Sequence, residues 1–366
     1  MLPRFVRRLT FSTQLAVVLS VVVIMLALAV TAVVTSMMQA QIERDKGAAL
    51  AVLGRSFTIA LGKNIRDRQQ QVQQLADAAE AWSQGLSPPP VTHALARMQQ
   101  TRPVASWIGV TDLNGTVVAA TDGLLLGVNA AERPWFAAGL KGPYVGDAHV
   151  AKLLASLLPA PSDNEPIRFI DFSAPVRLGE RVAGVVALHA DIKGIELIAA
   201  SFLPKSVAAR QVEVYVITSS GLVIYGPDRS ASLDHSQLAA ELAALPAVPL
   251  GEQGRPAIDF TWEDGRRYLT TSWQLDDYTP GIALGWRVLV RQPIEVAYAP
   301  ARQAAQRVLL VGLFLAFLVV PPGLLLARQL TKPLGRVARA ARDVEQGLPG
   351  ASIPKLDQNR ELVYLS

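Results

Sequence analysis

Two long stretches without charged side chains constrain what this chain can fold into. The first runs from Leu9 to Ile42 and is most apolar from Leu15 to Val34, and the second runs from Val308 to Ala327. A helix rises about 1.5 Å per residue, so about 20 apolar residues cross a hydrocarbon core about 30 Å thick. We therefore predict two transmembrane helices, over 15–36 and 307–327.

Each stretch has an alternative interpretation. The first could be a signal peptide cleaved near Ala29–Ala32, although its apolar run exceeds the usual h-region of about 7–15 residues. The second could be a buried core helix, although its length and lack of charge favour a membrane span. Pro321, Pro322 and Gly323 are expected to kink the inner end of this span, which membrane helices tolerate.

Basic side chains predict the orientation of the chain in the membrane. They precede the first stretch and follow the second: Arg4, Arg7, Arg8, Arg328, Lys332, Arg336, Arg339 and Arg342. Because cytoplasmic flanks carry the excess of Lys and Arg, we expect both termini inside and residues 39–306 outside. The net charge of +5 then reflects topology, and no nucleic-acid partner is expected, because no basic stripe interleaved with aromatics lies elsewhere.

Catalytic and metal sites are not expected. The chain has no cysteine, which excludes thiol catalysis and cysteine zinc sites. The histidines lie far apart in sequence without an HxxxH pair: His93, His149, His189 and His235. No Gly-x-Ser-x-Gly elbow occurs, and Asp276-Asp277 is typical of a turn. A membrane-anchored enzyme is therefore a less favoured alternative, and no cofactor is expected.

A long stalk helix is predicted after the first span. Apolar residues recur three or four positions apart: Leu53, Phe57, Leu61, Ile65, Val72, Leu75, Ala79 and Trp82. No Pro or Gly interrupts residues 63–84, and Gly85 with the prolines at 88–90 ends the pattern. A shorter helix is predicted from Val91 to Gln100.

Strand and turn patterns occur twice, about a hundred residues apart. A hairpin around Asn114-Gly115 is echoed by a second hairpin around Gly221. Further strands follow each hairpin, over 168–189 and 259–291, the last of them from Ala283 to Arg291. This order of elements predicts an α+β fold with two stacked modules, each built on a central antiparallel sheet.

The layout and several local motifs resemble the double-Cache (dCache) family of transmembrane sensors. The motifs are Arg133-Pro134-Trp135-Phe136, the GPYVGD stretch at 142–147, the FSAPV stretch at 172–176, Gly184-Val185-Val186 leading to Asp191, and the GWRVLV stretch at 285–290 ahead of Pro293. The resemblance covers nearly the whole chain. It implies a cytoplasmic segment 1–14, a membrane helix 15–36, a stalk 37–90, a membrane-distal PAS-like Cache module 91–192, a membrane-proximal module 193–298, a membrane helix 307–327 and an incomplete HAMP domain 328–366.

The segment after the second span resembles the opening of a HAMP domain. The positions that the resemblance assigns to signal relay are Pro333, Leu334, Val337, Ala341, Val344 and, at the start of a second helix, Glu361. The first helix keeps a 3-4-3 apolar spacing, a coiled-coil seam that a monomer cannot bury, so a homodimer is expected. Residues 347–358 would connect the two HAMP helices. No kinase, cyclase or chemotaxis output follows, so the chain is either a fragment or acts through a cytoplasmic partner.

A ligand site in the distal module is implied by the resemblance to amine- and amino-acid-type dCache receptors. The matching positions are Arg133, Trp135, Phe136, Asp147 and Asp191. A guanidinium pairs with a carboxylate, aspartates hold an ammonium group, and an aromatic face contacts a cation. The structural alternatives are a surface ion pair for the arginine, a core position for the tryptophan, and turn or helix caps for the aspartates.

The resemblance implies a receptor in a bacterial inner membrane that binds a small polar ligand outside: an amino acid, an amine or an organic acid. Binding would move the second span relative to the first. The alternative is a membrane-anchored scaffolding protein without a small ligand. The expected partners are the ligand, the lipid bilayer, a second copy of the chain and a cytoplasmic signalling protein.

Overall fold

The computed structural model describes residues 11–86, 89–100, 105–150, 152–158, 167–204, 207, 209–227, 257–262 and 264–346. The chain divides into two compact units, which are described separately. We call residues 42–297 the globular unit, and residues 1–41 with 298–366 the helical unit.

The helical unit contains the two predicted apolar segments, and residues 42–76 of the first helix belong to the globular unit. Helix α1 spans Phe11–Ala76, and the last helix, α8, spans Ala299–Glu345. Their candidate membrane spans are Ser20–Met38 and Ala299–Leu325, each with a mean hydropathy of 2.6 and no buried residue in its most apolar 18-residue window. Because side chains such as Phe317 (75% exposed) are not covered by the chain itself, these segments are suited to a lipid environment.

Helix α8 extends well past its apolar segment. It contains the first five predicted relay positions, Pro333, Leu334, Val337, Ala341 and Val344. Glu361 and the predicted connector at 347–358 lie outside the described residues. The backbone of α8 is helical throughout Ala299–Glu345, including at Pro321 and Pro322.

Helix α1 ends earlier than the predicted stalk helix. The pattern predicted a helix as far as Gln84, but α1 ends at Ala76 and a short helix α2 follows over Ala79–Trp82. The Trp82 ring is fully buried, and its Nε1 donates a hydrogen bond to the Leu75 carbonyl at 2.9 Å. The chain therefore folds back to bury the indole, which also satisfies a carbonyl at the helix end.

Two five-stranded antiparallel sheets form the globular unit. The distal sheet has the order β2-β1-β5-β4-β3, and the proximal sheet has the order β7-β6-β10-β9-β8. The distal strands are β1 Ala105–Asp112, β2 Val117–Ala120, β3 Tyr144–Val145, β4 Phe169–Leu178 and β5 Arg181–Asp191. The proximal strands are β6 Glu213–Ile217, β7 Val223–Tyr225, β8 Ile258–Thr261, β9 Arg267–Gln274 and β10 Arg287–Pro293. The matching orders confirm the predicted repeat and the α+β fold class.

Short helices precede, connect and follow the strands. They are α3 Pro89–Gln100, α4 Pro134–Gly139, α5 Lys152–Leu157, α6 Lys193–Phe202 and α7 Ile294–Ala297. Helix α3 confirms the short helix predicted before the first hairpin. Helix α4 carries the Arg-Pro-Trp-Phe motif, with Arg133 as its N-cap and a proline in its first turn, where the missing amide hydrogen is not needed.

One core joins the C-terminal part of α1 to both sheets. Phe57 of α1 is fully buried and packs edge-on against Phe202 of α6, with ring centroids 5.8 Å apart, and stacks on Tyr225 of β7 at 6.4 Å. Each such fully buried side chain contributes about 1.5–3 kcal/mol. The α1-facing side of both sheets is therefore used for packing and leaves the opposite faces for other roles.

Strand β10 begins later than predicted. The apolar pattern predicted a strand from Ala283, whereas β10 begins at Arg287. Gly285 has a φ of +68°, and its amide and that of Leu284 donate hydrogen bonds of 3.0 Å to the Asp276 carboxylate. These amides are held by a side chain, so they do not join the sheet ladder.

Candidate functional site

The distal sheet has two faces with different contacts. Along β1, Ile108 and Val110 belong to the core shared with α1, whereas Trp107 packs in a separate cluster on the other face. Along β5, Leu188 faces the α1 core and His189 lines the opposite side. This alternation follows from the period of two in a strand, and it places polar and aromatic side chains over a second, smaller cluster.

A cavity of about 60 Å³ lies over this second face. Its walls come from β1, β2, β5, helices α4 and α5 and the loops between them: Trp107, Val117, Leu125, Val128, Asn129, Ala130, Arg133, Trp135, His149, Leu153, Leu154 and His189. Two tryptophans, two histidines and one arginine thus converge on one concave, largely apolar space. This composition is typical of a small-molecule site.

A buried carboxylate lies between the two histidines beside the cavity. The Asp171 Oδ1 atom is in a very short contact with His189 Nδ1, and its Oδ2 lies 3.5 Å from His149 Nε2. Asp171 and His189 are each 5% exposed and sit directly opposite each other on β4 and β5. The carboxylate favours a proton on the facing nitrogen of His189 and fixes the orientation of that ring.

Aromatic rings hold His189 from two sides. The Trp107 ring stacks on it with centroids 4.8 Å apart and an interplanar angle of 22°, and Trp135 meets it edge-on at 5.7 Å. Gly109, two residues along β1, leaves room for the Trp107 ring, because a Cβ at Gly109 would lie 2.1 Å from Trp107 Cζ2. The Trp107 indole is further held by a 3.0 Å hydrogen bond to the Leu124 carbonyl. The cavity walls are therefore rigidly positioned.

The predicted site residues have different positions. Arg133 is exposed and lines the cavity, and Trp135 lines it from a buried position. Phe136 is buried next to Trp135, with their rings edge-on at 6.3 Å, and supports the wall without lining it. The backbone of helix α4 is anchored to β4 by a 2.7 Å hydrogen bond from the Ser173 hydroxyl to the Trp135 carbonyl.

The two predicted aspartates do not line the cavity. Asp147 Oδ1 accepts hydrogen bonds from its neighbour Ala148 N at 2.7 Å and from Trp286 Nε1 of the proximal module at 2.6 Å. Asp191 Oδ1 accepts a 2.9 Å hydrogen bond from the Lys193 amide at the start of α6. The structure thus brings Arg133 and Trp135 together at the cavity and places both carboxylates at other contacts.

Sequence reasoning missed the Asp171, His149 and His189 group. These residues are 18 to 40 positions apart, so no spacing rule links them. A signal was nevertheless present: Asp171 and His189 each interrupt a strand that is otherwise almost wholly apolar. A buried polar residue in an apolar strand needs a partner, and the pairing of β4 with β5 supplies it.

The pKa of the Tyr144 hydroxyl is raised next to this group. Burial of the hydroxyl is the largest cause, followed by the negative charges of Asp171 and Asp147. Tyr144 pairs with Ser173 at the edge of the distal sheet. Its phenol therefore remains protonated at neutral pH and can act as a hydrogen-bond donor.

The corresponding face of the proximal sheet is filled by a side chain of the protein. The Arg291 guanidinium lies over three aromatic rings, with its Cζ atom 4.8, 4.2 and 4.1 Å from the centroids of Tyr215, Trp262 and Tyr268. Its Nε donates to Glu213 Oε2 at 2.6 Å, and the side chain is almost fully buried. The proximal module therefore holds its own cation in an aromatic cage, in contrast to the open cavity of the distal module.

Comparison with known proteins identifies the class of fold. No family model matches the sequence. The ligand-binding domain of the Campylobacter jejuni chemoreceptor Tlp3, solved with 4-methylisoleucine, is 12% identical and has a TM-score of 0.52, with coverage of 70% of this chain and 94% of that one. The ligand-binding domain of the Pseudomonas aeruginosa PAO1 amino acid chemoreceptor PctB, solved with L-Arg, is 14% identical and has a TM-score of 0.51, with coverage of 70% and 98%.

This similarity shows the fold. The globular unit has the two-module dCache architecture of chemoreceptor ligand-binding domains, and the chain also carries two apolar helices suited to a membrane. The resemblance inferred from the sequence motifs is thus confirmed at the level of fold. Within the described residues, no group of three or more His, Cys, Asp or Glu side chains is arranged to hold a metal ion.

Proposed function

We propose that this protein is a transmembrane signal receptor whose distal module binds a small polar ligand. The observation that carries the proposal is the distal cavity, in which Arg133 is exposed at a pocket walled by Trp107, Trp135 and His189. The solved neighbours include domains in complex with 4-methylisoleucine and L-Arg, which supports a small-molecule ligand. Arg133 is the main candidate for contact with the ligand, and Trp135 and Phe136 shape the wall.

The route of the signal is the second part of the proposal. Ligand binding shifts the balance between two arrangements of the globular unit, and the change reaches the membrane through β10, α7 and α8, which follow one another in the chain. Beyond the membrane, Pro333, Leu334, Val337, Ala341 and Val344 form the first HAMP helix of a homodimer, and Glu361 belongs to the second helix. The output comes from a further domain or from a cytoplasmic signalling partner.

The orientation is also proposed: both termini lie in the cytoplasm and the globular unit lies outside the inner membrane of a bacterium. The basic flanks of the two spans support it. The absence of cysteine allows a direct test, because a single introduced cysteine is the only thiol. A membrane-impermeant maleimide applied to intact spheroplasts is expected to label Glu180→Cys and to spare Gln346→Cys. The reverse pattern would contradict the orientation.

A thermal-shift panel tests ligand binding. The purified full chain in nanodiscs is heated with each of the amino acids, short amines and short carboxylates, and a ligand at 100 times its Kd stabilises the folded state by about 2.7 kcal/mol. We expect a rise in Tm with at least one compound, and loss of that rise in Arg133→Ala. Arg181→Ala, at the exposed start of β5, is the matched control and should keep the response. The absence of a shift throughout the panel would favour a scaffolding role.

A further inference from the structure

The charge of the cavity wall restricts the kind of ligand it can hold. Arg133 supplies a fixed positive charge, and the imidazole rings of His149 and His189 line the same cavity. No Asp or Glu side chain lines the cavity among the residues that the structure describes. A bound ammonium group would therefore face the like charge of Arg133 with no carboxylate in the wall to pair with, at a cost in binding free energy.

Three aspartates of the distal module make contacts away from the cavity space. Asp147 accepts from the Trp286 indole at 2.6 Å, and Asp191 accepts from the Lys193 amide at 2.9 Å. Asp171 is buried behind the wall, with one oxygen against His189 and the other 3.5 Å from His149. The oxygens of Asp171 are thus occupied by the two imidazoles, and this carboxylate does not form part of the cavity wall.

The size of the cavity restricts the ligand further. A cavity needs about 10–15 Å³ to hold one water molecule, so 60 Å³ corresponds to the space of about four to six water molecules. Carboxylates of two or three carbons have this size. Their planar charged group matches the guanidinium fork of Arg133, and their short apolar part suits the tryptophan and leucine side of the wall.

We propose that the distal cavity binds a carboxylate anion of two or three carbons that carries no ammonium group. This inference rests on the proposed function and names the ligand class of the same site. This ligand class differs from the amino acids named with the solved neighbours.

Isosteric ligands provide the test. Binding to the full chain in nanodiscs is measured by calorimetry for acetate, propionate, lactate, acetamide, glycine and ethylamine, at constant ionic strength. We expect at least one carboxylate to bind, acetamide and ethylamine to show no binding, and glycine to bind at least tenfold more weakly than the best carboxylate. Glycine or ethylamine binding as tightly as the best carboxylate would overturn the inference while leaving the receptor function in place.

Substitutions test whether the positive charge of Arg133 binds the carboxylate. Arg133→Ala should weaken carboxylate binding by about tenfold or more, since it removes a charge-assisted contact, whereas Arg133→Lys should retain part of the affinity. Arg181→Ala is the control and should bind like the wild type. Unchanged carboxylate affinity in Arg133→Ala would overturn the assignment. If no compound binds, including the wider amino acid and amine panel, the inference and the proposed function both fail.

Discussion

The Trp286 indole nitrogen donates a 2.6 Å hydrogen bond to Asp147 Oδ1, and this contact joins residues 139 positions apart in the two modules. Trp286 is fully buried and immediately precedes strand β10. Asp147 lies two residues before His149, a wall residue of the distal cavity, whose Nδ1 is 3.3 Å from the Asp147 carbonyl oxygen. A change at the cavity wall therefore has a short path to the strand that leads into the second apolar helix.

A double-mutant cycle tests this link between the modules. Trp286→Phe and Asp147→Ala should each lower the free energy of unfolding by about 0.5–1.5 kcal/mol through the lost hydrogen bond. The double variant should lose less than the sum of the two, because both remove the same contact. Urea unfolding of the four proteins gives the coupling energy.

A control for the cycle pairs Trp286→Phe with Asp112→Ala. Asp112 accepts hydrogen bonds from Asn114 N and Thr116 N within the first hairpin of the distal module. These two substitutions should be additive. If the losses in unfolding free energy of Trp286→Phe and Asp147→Ala are also additive, the contact does not couple the modules.

Gly109→Ala should disturb the cavity from within the sheet. The new Cβ would lie 2.1 Å from a ring atom of Trp107, so the indole must move away from its stack on His189. We expect a loss of about 1–3 kcal/mol in the free energy of unfolding, as in other overpacked cores, together with a change in tryptophan fluorescence. Gly142→Ala has open space at its Cβ and should change neither quantity.

Arg291 should be essential to the proximal cage. Arg291→Ala removes a buried cation from three aromatic rings and leaves Glu213 without its 2.6 Å partner, so a loss of about 3 kcal/mol is expected in urea unfolding. Arg291→Lys should rescue this poorly, because one ammonium cannot reproduce the planar contacts of a guanidinium. A wild-type unfolding curve for Arg291→Lys would show that only the charge matters.

Tyr268→Phe should cost stability in a pH-dependent way. Burial alone would raise the pKa of the Asp264 carboxyl, but hydrogen bonding outweighs it, chiefly from the Tyr268 hydroxyl at 2.7 Å, and the pKa is lowered. A carboxyl with a lowered folded pKa stabilises the fold above its unfolded value of about 3.9, and this contribution is lost as pH falls through the folded pKa. The difference in stability between wild type and Tyr268→Phe should therefore be largest near neutral pH.

The same experiment has an internal check at low pH. Below the folded pKa of Asp264 its carboxyl is protonated in both proteins, so the stability difference should shrink as the pH is lowered below about 4. The ring contact with Arg291 persists in the phenylalanine variant and adds no pH dependence in this range. A difference that stays constant from neutral to acidic pH would show that the Tyr268 hydrogen bond does not depend on an ionised Asp264.

The parts of the fold that depend on local sequence could be predicted. The apolar runs predicted the two spans, and Asn114-Gly115 predicted the first hairpin. The order of strands predicted the repeat of two modules. Two element boundaries were predicted wrongly because a side chain forms a hydrogen bond with the backbone at that boundary. Trp82 folds back onto the Leu75 carbonyl and shortens the stalk helix, and the Asp276 carboxylate holds the amides before β10.

The candidate site depends on contacts that no local pattern encodes. The register of β4 and β5 places Asp171 opposite His189, and a contact with the proximal module engages Asp147. Family motifs located Arg133 and Trp135 at the cavity because both belong to one short helix and its cap. The carboxylates are spread over separate strands and loops, so their partners become visible only in three dimensions.

Hydrogen exchange of the full chain in nanodiscs, with and without the compound that gives the largest thermal shift, shows whether a ligand binds in the distal cavity and acts on the proximal module. We expect slower amide exchange in the cavity segments around Trp107, Arg133–Phe136 and His149, and a change that extends to the residues around Trp286. Protection confined to the proximal module, or no change in exchange at saturating ligand, would contradict a receptor that reads its ligand in the distal cavity.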